Sequence, residues 1–403
     1  MNALIAISVL AIIILFLGVT KKKSLLLPLI LLGLPIAFFL CIRDWNLNLH
    51  FFNDMFIADN FSVAFNAVLI SGTFIVFMFA GLYYKAVQRP LEDIFALFLF
   101  ALIGGMVMTS FGNLIMFFIG LETLSISLYI LAGSKKFDLA SNEAAMKYFL
   151  TGSFATGFLL FGIALIYGAS GSFNLIEISQ YITENKETLP KLFYAGMFLV
   201  FIGMAFKIAA VPFHFWAPDV YTGSPTLITA FMATVGKVAG IAAFYRMASL
   251  TFLEIQPSWV NTIVFFSVAT ILFGNLSALY QDNLKRLFAY SGIANTGYLL
   301  FAIIVICPHS AGSLLFYSLT YSLATVTGFA VLMLVREKNG TFSIQAFKGL
   351  AKNNPVEAFA MTIAMLSLAG IPPLAGFMSK YNIFIVAAQG GYLWLVIIAV
   401  IGS

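Results

Sequence analysis

Residues 203–221 read GMAFKIAAVPFHFWAPDVY, and the reading of this stretch decides the fold. Its first half has the apolar density of a membrane helix, yet Lys207, Pro212 and His214 fall within eight residues. A lysine at the bilayer centre costs roughly 2.5–3.5 kcal/mol on insertion scales. Proline removes a backbone donor and clashes with the preceding turn. In lipid, the freed groups need protein or a water-filled cavity around them. A segment that accepts all three residues does more than cross lipid.

The flanking sequence is that of a membrane protein. The 403 residues are 62% apolar and 9% charged, where soluble domains have about 45–50% and about 25%. Apolar stretches of the length that spans a hydrocarbon core recur along the chain. The alternating segments of about ten residues that mark a membrane β-barrel are absent. The chain therefore reads as an all-α polytopic membrane protein, with spans expected at 2–19, 24–42, 61–84, 91–110, 112–131, 144–168, 190–217, 225–249, 259–280, 284–307, 311–335 and 355–388. A thirteenth begins near Gly391 and is expected to be incomplete at Ser403. The first run, Asn2–Val19, lacks a basic start and a small-residue cleavage site and reads as a span rather than a signal peptide. Cys41 and Cys307 lie near span ends and read as small apolar fillers.

The net charge of +5 gives no sign of a nucleic-acid partner, because the basic residues sit mostly in short loops, where they report orientation. Alternate loops carry Lys21, Lys22, Lys23, Lys85, Arg89, Lys135, Lys136, Lys285, Arg286, Arg336, Lys338, Lys348 and Lys352; the opposite loops carry Arg43, Lys186, Lys191 and Arg246. The bias places the N-terminus outside. Four basic residues remain within apolar segments: Lys147, Lys207, Lys237 and Lys380. Lys147 is near its span's start, four residues after Glu143, a helical ion-pair spacing; snorkelling explains it as well as any other role. Lys207 and Lys237 are too deep for that, and Lys380 lies in the second half of a long broken span.

Glu122, in FFIGLETLSISLYIL, is the carboxylate placed at comparable depth, and Lys207 is its candidate partner. One carboxylate cannot neutralise three deep ammonium groups, so some must lie along a hydrated path or release a proton. Burial favours the neutral amine and a nearby carboxylate favours the ammonium; a lysine balanced between them can relay protons. His214, just past the break, could pass protons onward or simply cap and pack. A second break, SLAGIPPLAGFMSKYNIF, sets Pro372 and Pro373 ahead of Lys380. Two proline-broken spans, the seventh and twelfth, five helices apart suggest two inverted five-helix units, a plan in which ion sites lie near the breaks. The expected division is 1–90 for helices 1–3, 91–250 for the first unit and 251–403 for the second. No P-loop, no GxGxxG after a strand, no haem-attachment motif, no cysteine set for an iron–sulfur cluster and no metal-ligand spacing is found.

Six stretches carry a resemblance: GLETLSISLYIL, AAMKYFLTGSFATGFLLFG, FKIAAVPFHFWAPDVYTGSPT, GKVAGIAAFYR, NLKRLFAYSGIANTGYLL and LAGIPPLAGFMSK. In order and spacing, from about residue 110 to 385, the chain resembles the antiporter-like membrane subunits of respiratory complex I, the proton-translocating NADH:quinone oxidoreductase. YTGSPT, with Tyr221 and Ser224, is more like the smallest of these subunits than its two larger relatives. The resemblance implies fourteen helices, twelve of them complete here, and a charged axis along the membrane midplane. It implies a Glu122–Lys207 pair, a central Lys237 and a terminal Lys380, with Lys147 and His214 also on family positions. It further implies protons as the substrate, other membrane-arm subunits and the lipid bilayer as partners, and a bacterial inner membrane with the N-terminus periplasmic. FMN, iron–sulfur clusters, NADH and quinone would belong to partner subunits, with no cofactor in this chain. A subunit of a multisubunit Na+/H+ antiporter of the same fold is the alternative.

Overall fold

The computed structural model describes residues 1–20, 23–84 and 91–403, with the backbone alone at 337–339. The helices are α1 (Asn2–Leu17), α2 (Leu26–Ile42), α3 (Asn60–Tyr83), α4 (Glu92–Ser110), α5 (Leu114–Ala132), α6 (Leu139–Ser170) and α7 (Leu175–Glu184). They continue with α8 (Lys191–Lys207), α9 (Trp216–Gly223), α10 (Thr226–Phe231), α11 (Lys237–Leu250), α12 (Gln256–Leu279), α13 (Leu284–Leu299) and α14 (Phe301–Ile304). The last are α15 (Ser310–Asn339), α16 (Leu350–Asn353), α17 (Pro355–Ala369), α18 (Ala375–Gln389) and α19 (Leu393–Gly402). A short antiparallel hairpin, β1 (Leu49–Phe51) with β2 (Phe56–Ala58), joins α2 to α3.

Each expected span meets helix, and its length follows from the apolar run that must bury its own backbone hydrogen bonds in lipid. Among the described residues, nine helical stretches are long and apolar enough to cross a membrane, and α1, α17 and α19 are shorter apolar helices. Many outward side chains are large and apolar, Phe154, Phe265 and Phe359 among them, as lipid contact requires. Within Thr226–Leu250, residues 226–248 are buried throughout and form the central column. Where α6 and α8 cross, a Cβ on Gly162 would lie 2.6 Å from the Gly196 carbonyl, so only glycine lets these backbones meet.

A local arrangement occurs twice. Asn113 caps α5, its side chain accepting from the Ile115 amide at 2.8 Å, and it bridges to Asn174 beyond α6. Asn283 caps α13, accepting from the Lys285 amide at 2.9 Å, and it bridges to Ser343 beyond α15. Both long helices between, α6 and α15, stop at a left-handed glycine, Gly171 (φ 73°) and Gly340 (φ 71°).

Two of the charges counted to loops are buried inside helices. Arg246 lies inside α11, buried, its Nη1 2.8 Å from Asp59 and its Nε donating to the Phe111 carbonyl at 2.7 Å. Lys285 is in the first turn of α13 with a buried side chain rather than in a loop. Lys21, Lys22, Lys85 and Arg89 lie outside the described residues, as does the side chain of Lys338. The connection around 168–190 holds a helix of its own, α7.

Candidate functional site

The first helix break positions Lys207. Helix α8 ends on this residue, and the chain turns through Ala209 at φ 58° before Pro212. Protein side chains satisfy the backbone groups set free. Thr270 of α12 accepts from the Val211 amide at 2.9 Å, Trp216 donates to the Phe206 carbonyl at 3.0 Å, and Thr296 of α13 reaches the Ile208 carbonyl at 3.0 Å. The Lys207 side chain is 7% exposed, and its ammonium donates to the Ser125 hydroxyl at 2.7 Å. Ser125 stands three residues after Glu122 on α5, so carboxylate and hydroxyl share a face. The expected Glu122–Lys207 contact is not made directly: no ion pair within 4.0 Å joins them. Half-buried Glu122 leaves the direct contact to a neutral hydroxyl.

Lys237 opens α11 directly after a π-helical turn, Met232–Gly236. Such turns insert one extra residue and re-aim the side chains of the next turn. The Lys237 side chain is 3% exposed, and the ammonium donates to the Gly292 carbonyl of α13 at 2.6 Å with the Tyr321 ring 5.9 Å away. A Cβ on Gly292 would lie 3.0 Å from both the Lys237 ammonium and the Tyr321 hydroxyl, so the missing side chain is what admits the charge. Thr296 ties the two lysines together, since its hydroxyl is 3.0 Å from both the Gly292 and Ile208 carbonyls. The stem of Lys207 packs on Gly240, one turn beyond Lys237.

The second break, between α17 and α18, positions Lys380 (6% exposed). Its ammonium donates to the Ala369 carbonyl at 3.1 Å and to the Ser403 hydroxyl at 2.6 Å, and it lies 4.7 Å from the Tyr298 ring. Lys207 ends the helix before its break, whereas Lys380 sits in the helix after its own, so the two breaks match and the two lysines do not. A cavity of about 10 Å³ is lined by Tyr321, Tyr317, Asn295, Ser379 and Lys380. That is space for about one water.

None of the three ammonium groups has a carboxylate within 4.0 Å among the described residues. A buried ion loses several kcal/mol of solvation. Hydrogen bonds from a charged group return about 1.5–3 kcal/mol each. Neutral oxygens therefore hold these lysines without fixing their charge.

Lys147 is different. It is half in solvent and ion-paired to Glu143 at 2.7 Å and to Asp219 at 2.8 Å, and Asp219 in turn meets Arg286 at 3.1 Å. Burial alone would push the Asp219 carboxyl up, but the hydrogen bond and charge of Lys147, with Arg286, hold it below the usual carboxylate range. His214 is buried against the Phe273 ring at 4.4 Å, and its Nδ1 has no hydrogen-bond partner among the described residues. The sequence reading missed Ser125, Gly292, Thr296, Asp219 and Lys285. Ser125 could have been found from its one-turn spacing to Glu122, and Asp219 from its place just past the broken span, in the stretch 203–221.

The family described as NADH:quinone oxidoreductase/Mrp antiporter, transmembrane, matches residues 112–403, which hold every one of these side chains. The chain belongs to this family. Among relatives in the family, the NADH-quinone oxidoreductase subunit N of Cytophaga hutchinsonii is 43% identical over 404 residues, covering 100% of this chain and 87% of that protein. A chain of respiratory complex I from Thermus thermophilus, solved with bound aureothin, superposes with TM-score 0.84 at 33% identity, over 99% of this chain and 86% of its own. A chain of the archaeal membrane-bound sulfane sulfur reductase superposes with TM-score 0.89 at 26% identity, over 100% and 84%.

Proposed function

We propose that this chain is a proton-translocating membrane-arm subunit of NADH:quinone oxidoreductase, respiratory complex I, seated beside other antiporter-like and small helical subunits. The observation that carries the reading is the row Lys207, Lys237 and Lys380, each buried and each bonded only to neutral oxygens. Redox chemistry belongs to partner subunits holding FMN, iron–sulfur clusters, NADH and quinone. Its energy reaches this chain as a change of electrostatic state.

Glu122 biases the proton affinity of Lys207 through space, and Ser125 serves Lys207 in either state because a hydroxyl both donates and accepts. A change at Lys207 alters the proton affinity of Lys237, through the Thr296–Gly292 contacts and direct charge repulsion. Lys237 then delivers toward Lys380. His214 and Lys147 border this row, and Lys147 holds the half-helix after the break. The repeated Asn-capped arrangement around α5–α7 and α13–α16 supports two inverted units, 91–250 and 251–403, after an N-terminal segment 1–90. The loop charges support a bacterial inner membrane orientation with the N-terminus periplasmic.

The test is Lys237→Met in the assembled complex, following NADH-driven acidification and NADH:quinone turnover together. The expected result is loss of pumping; pumping at the wild-type level refutes the relay. Sodium-dependent proton exchange without NADH would instead assign the chain to a multisubunit antiporter.

A further inference from the structure

We propose that Arg246 is a positioning residue for Lys237: with Asp59 and the Phe111 carbonyl it clamps the far end of the central helix and so holds the Lys237 ammonium against Gly292. This rests on the relay reading and names a buried charge that the relay itself does not use. Arg246 is 2% exposed, and its guanidinium donates from Nη1 to Asp59 at 2.8 Å and from Nε to the Phe111 carbonyl at 2.7 Å. Its Nη2 is buried and has no hydrogen-bond partner among the described residues. The Phe61 ring lies 5.9 Å from the guanidinium carbon and stacks at 5.5 Å on Tyr245, the residue before Arg246. A buried ion pair is a costly way to fasten helices, and well-packed apolar side chains do so at least as well. What the guanidinium adds is direction, since its rigid fork fixes two partners at once.

Lys237 and Arg246 both lie on α11, nine residues apart. That is about two and a half turns, so they leave opposite sides of the helix about 14 Å apart along its axis. Lys237 faces α13, where the Gly292 carbonyl accepts from it at 2.6 Å; Arg246 faces the residue that caps α3 and the residue just past α4. Ala239, seven residues before Arg246 and so on its face, lies against Gly105 of α4, where an added Cβ would come within 3.3 Å of it. On the other side of Lys237, the π-helical turn Met232–Gly236 slips the register by one residue, so α10 does not dictate which way α11 faces. The far end supplies that orientation, because its partners are themselves fixed. Asp59 caps α3, accepting from the Ser62 amide at 2.8 Å. Phe111 bridges to Phe56 of β2, and the amide of the next residue, Gly112, donates to the Met55 carbonyl at 3.0 Å. A rotation of α11 that drew Lys237 away from Gly292 would have to pull Arg246 off both partners.

The competing explanation is that Arg246 only fastens these elements together. Asp59→Asn keeps the cap of α3, since Asn caps a helix as well as Asp does, and removes the charge that orients Arg246. Arg246→Lys keeps a cation but has no fork with which to hold both partners. Both are measured for NADH-driven acidification per assembled complex, with native-gel assembly and melting temperature alongside. Each should slow acidification about fivefold or more with assembly retained. In a Gly292→Ala background, where the Lys237 contact is already disturbed, Asp59→Asn should cost less than about twofold further, because two changes that act through one contact are not additive. A normal rate in either single variant overturns the clamp, as does the full cost of Asp59→Asn repeated on Gly292→Ala. Failure of both single variants to assemble overturns it too, since Arg246 is then a folding element alone. Lys237→Met in the same series separates the two levels. If it pumps normally the relay itself falls, and if it is inactive while Asp59→Asn and Arg246→Lys pump normally, the clamp alone falls.

Discussion

Lys237 and Lys147 are the same residue type in opposite situations. Lys237 is enclosed in the central column with one backbone carbonyl for a partner, and Lys147 stands half in solvent between two carboxylates. The difference teaches how a membrane protein pairs one cation with carboxylates and leaves another with a single neutral oxygen. Two carboxylates saturate Lys147 and make it a fixed cation that ties α6 to α9. The interior lysines receive only neutral oxygens, and under the proposed relay this lets a neighbouring charge decide their protonation.

The largest expected effect tests whether mobility of charge is what matters. Lys207→Arg keeps a cation for Ser125 yet cannot lose its proton. NADH-driven acidification should fall about a hundredfold with assembly retained; normal acidification would mean that a fixed charge suffices at Lys207. Next comes Gly292→Ala, which places a methyl 3.0 Å from both the Lys237 ammonium and the Tyr321 hydroxyl. Pumping should drop about tenfold, the loss of one charged hydrogen bond, and an unchanged rate would show that the Gly292 contact is incidental. Ser125→Ala should cost a few-fold at most, because a water of suitable size can replace a hydroxyl; proton flux at varied pH measures it.

The smallest effect belongs to the exposed network. Asp219→Asn should leave pumping near normal and shift the melting temperature of the complex by on the order of 2 °C or less. The sign with pH comes from a carboxyl held below its ordinary value: its contribution is present above the unfolded value and is lost as pH falls through the folded one. Acid should therefore erase the difference between Asp219→Asn and wild type. If Asp219→Asn instead stops pumping, the contrast between fixed and mobile lysines fails, and the exposed cluster belongs to the moving part.

Much of this architecture was legible in particular residues. Apolar runs located the helices to within a few positions, and Pro212 and the Pro372–Pro373 pair marked both breaks. Lys207, Lys237 and Lys380 stood out because a charge so far from a loop has no cheap explanation. Lys285 did not, since two residues from a helix start it read as a loop cation, and only packing against α9 buries it. Arg246, four residues from the end of α11, read as a loop cation too, and only its contacts with Asp59 and the Phe111 carbonyl bury it. The π-turn before Lys237 has no counterpart in composition, for MATVG differs little from its helical neighbours.

By itself the sequence determined where the chain crosses lipid, where helices break and which charges are stranded. Those outcomes depend on local length, apolarity and backbone donors, which a short window contains. Tertiary structure alone decided what each ammonium touches. Lys207 meets a hydroxyl 82 positions away, Lys237 a carbonyl 55 away and Lys285 a carbonyl 61 away. Such pairings depend on how whole helices rotate and approach one another, and no local rule carries that information.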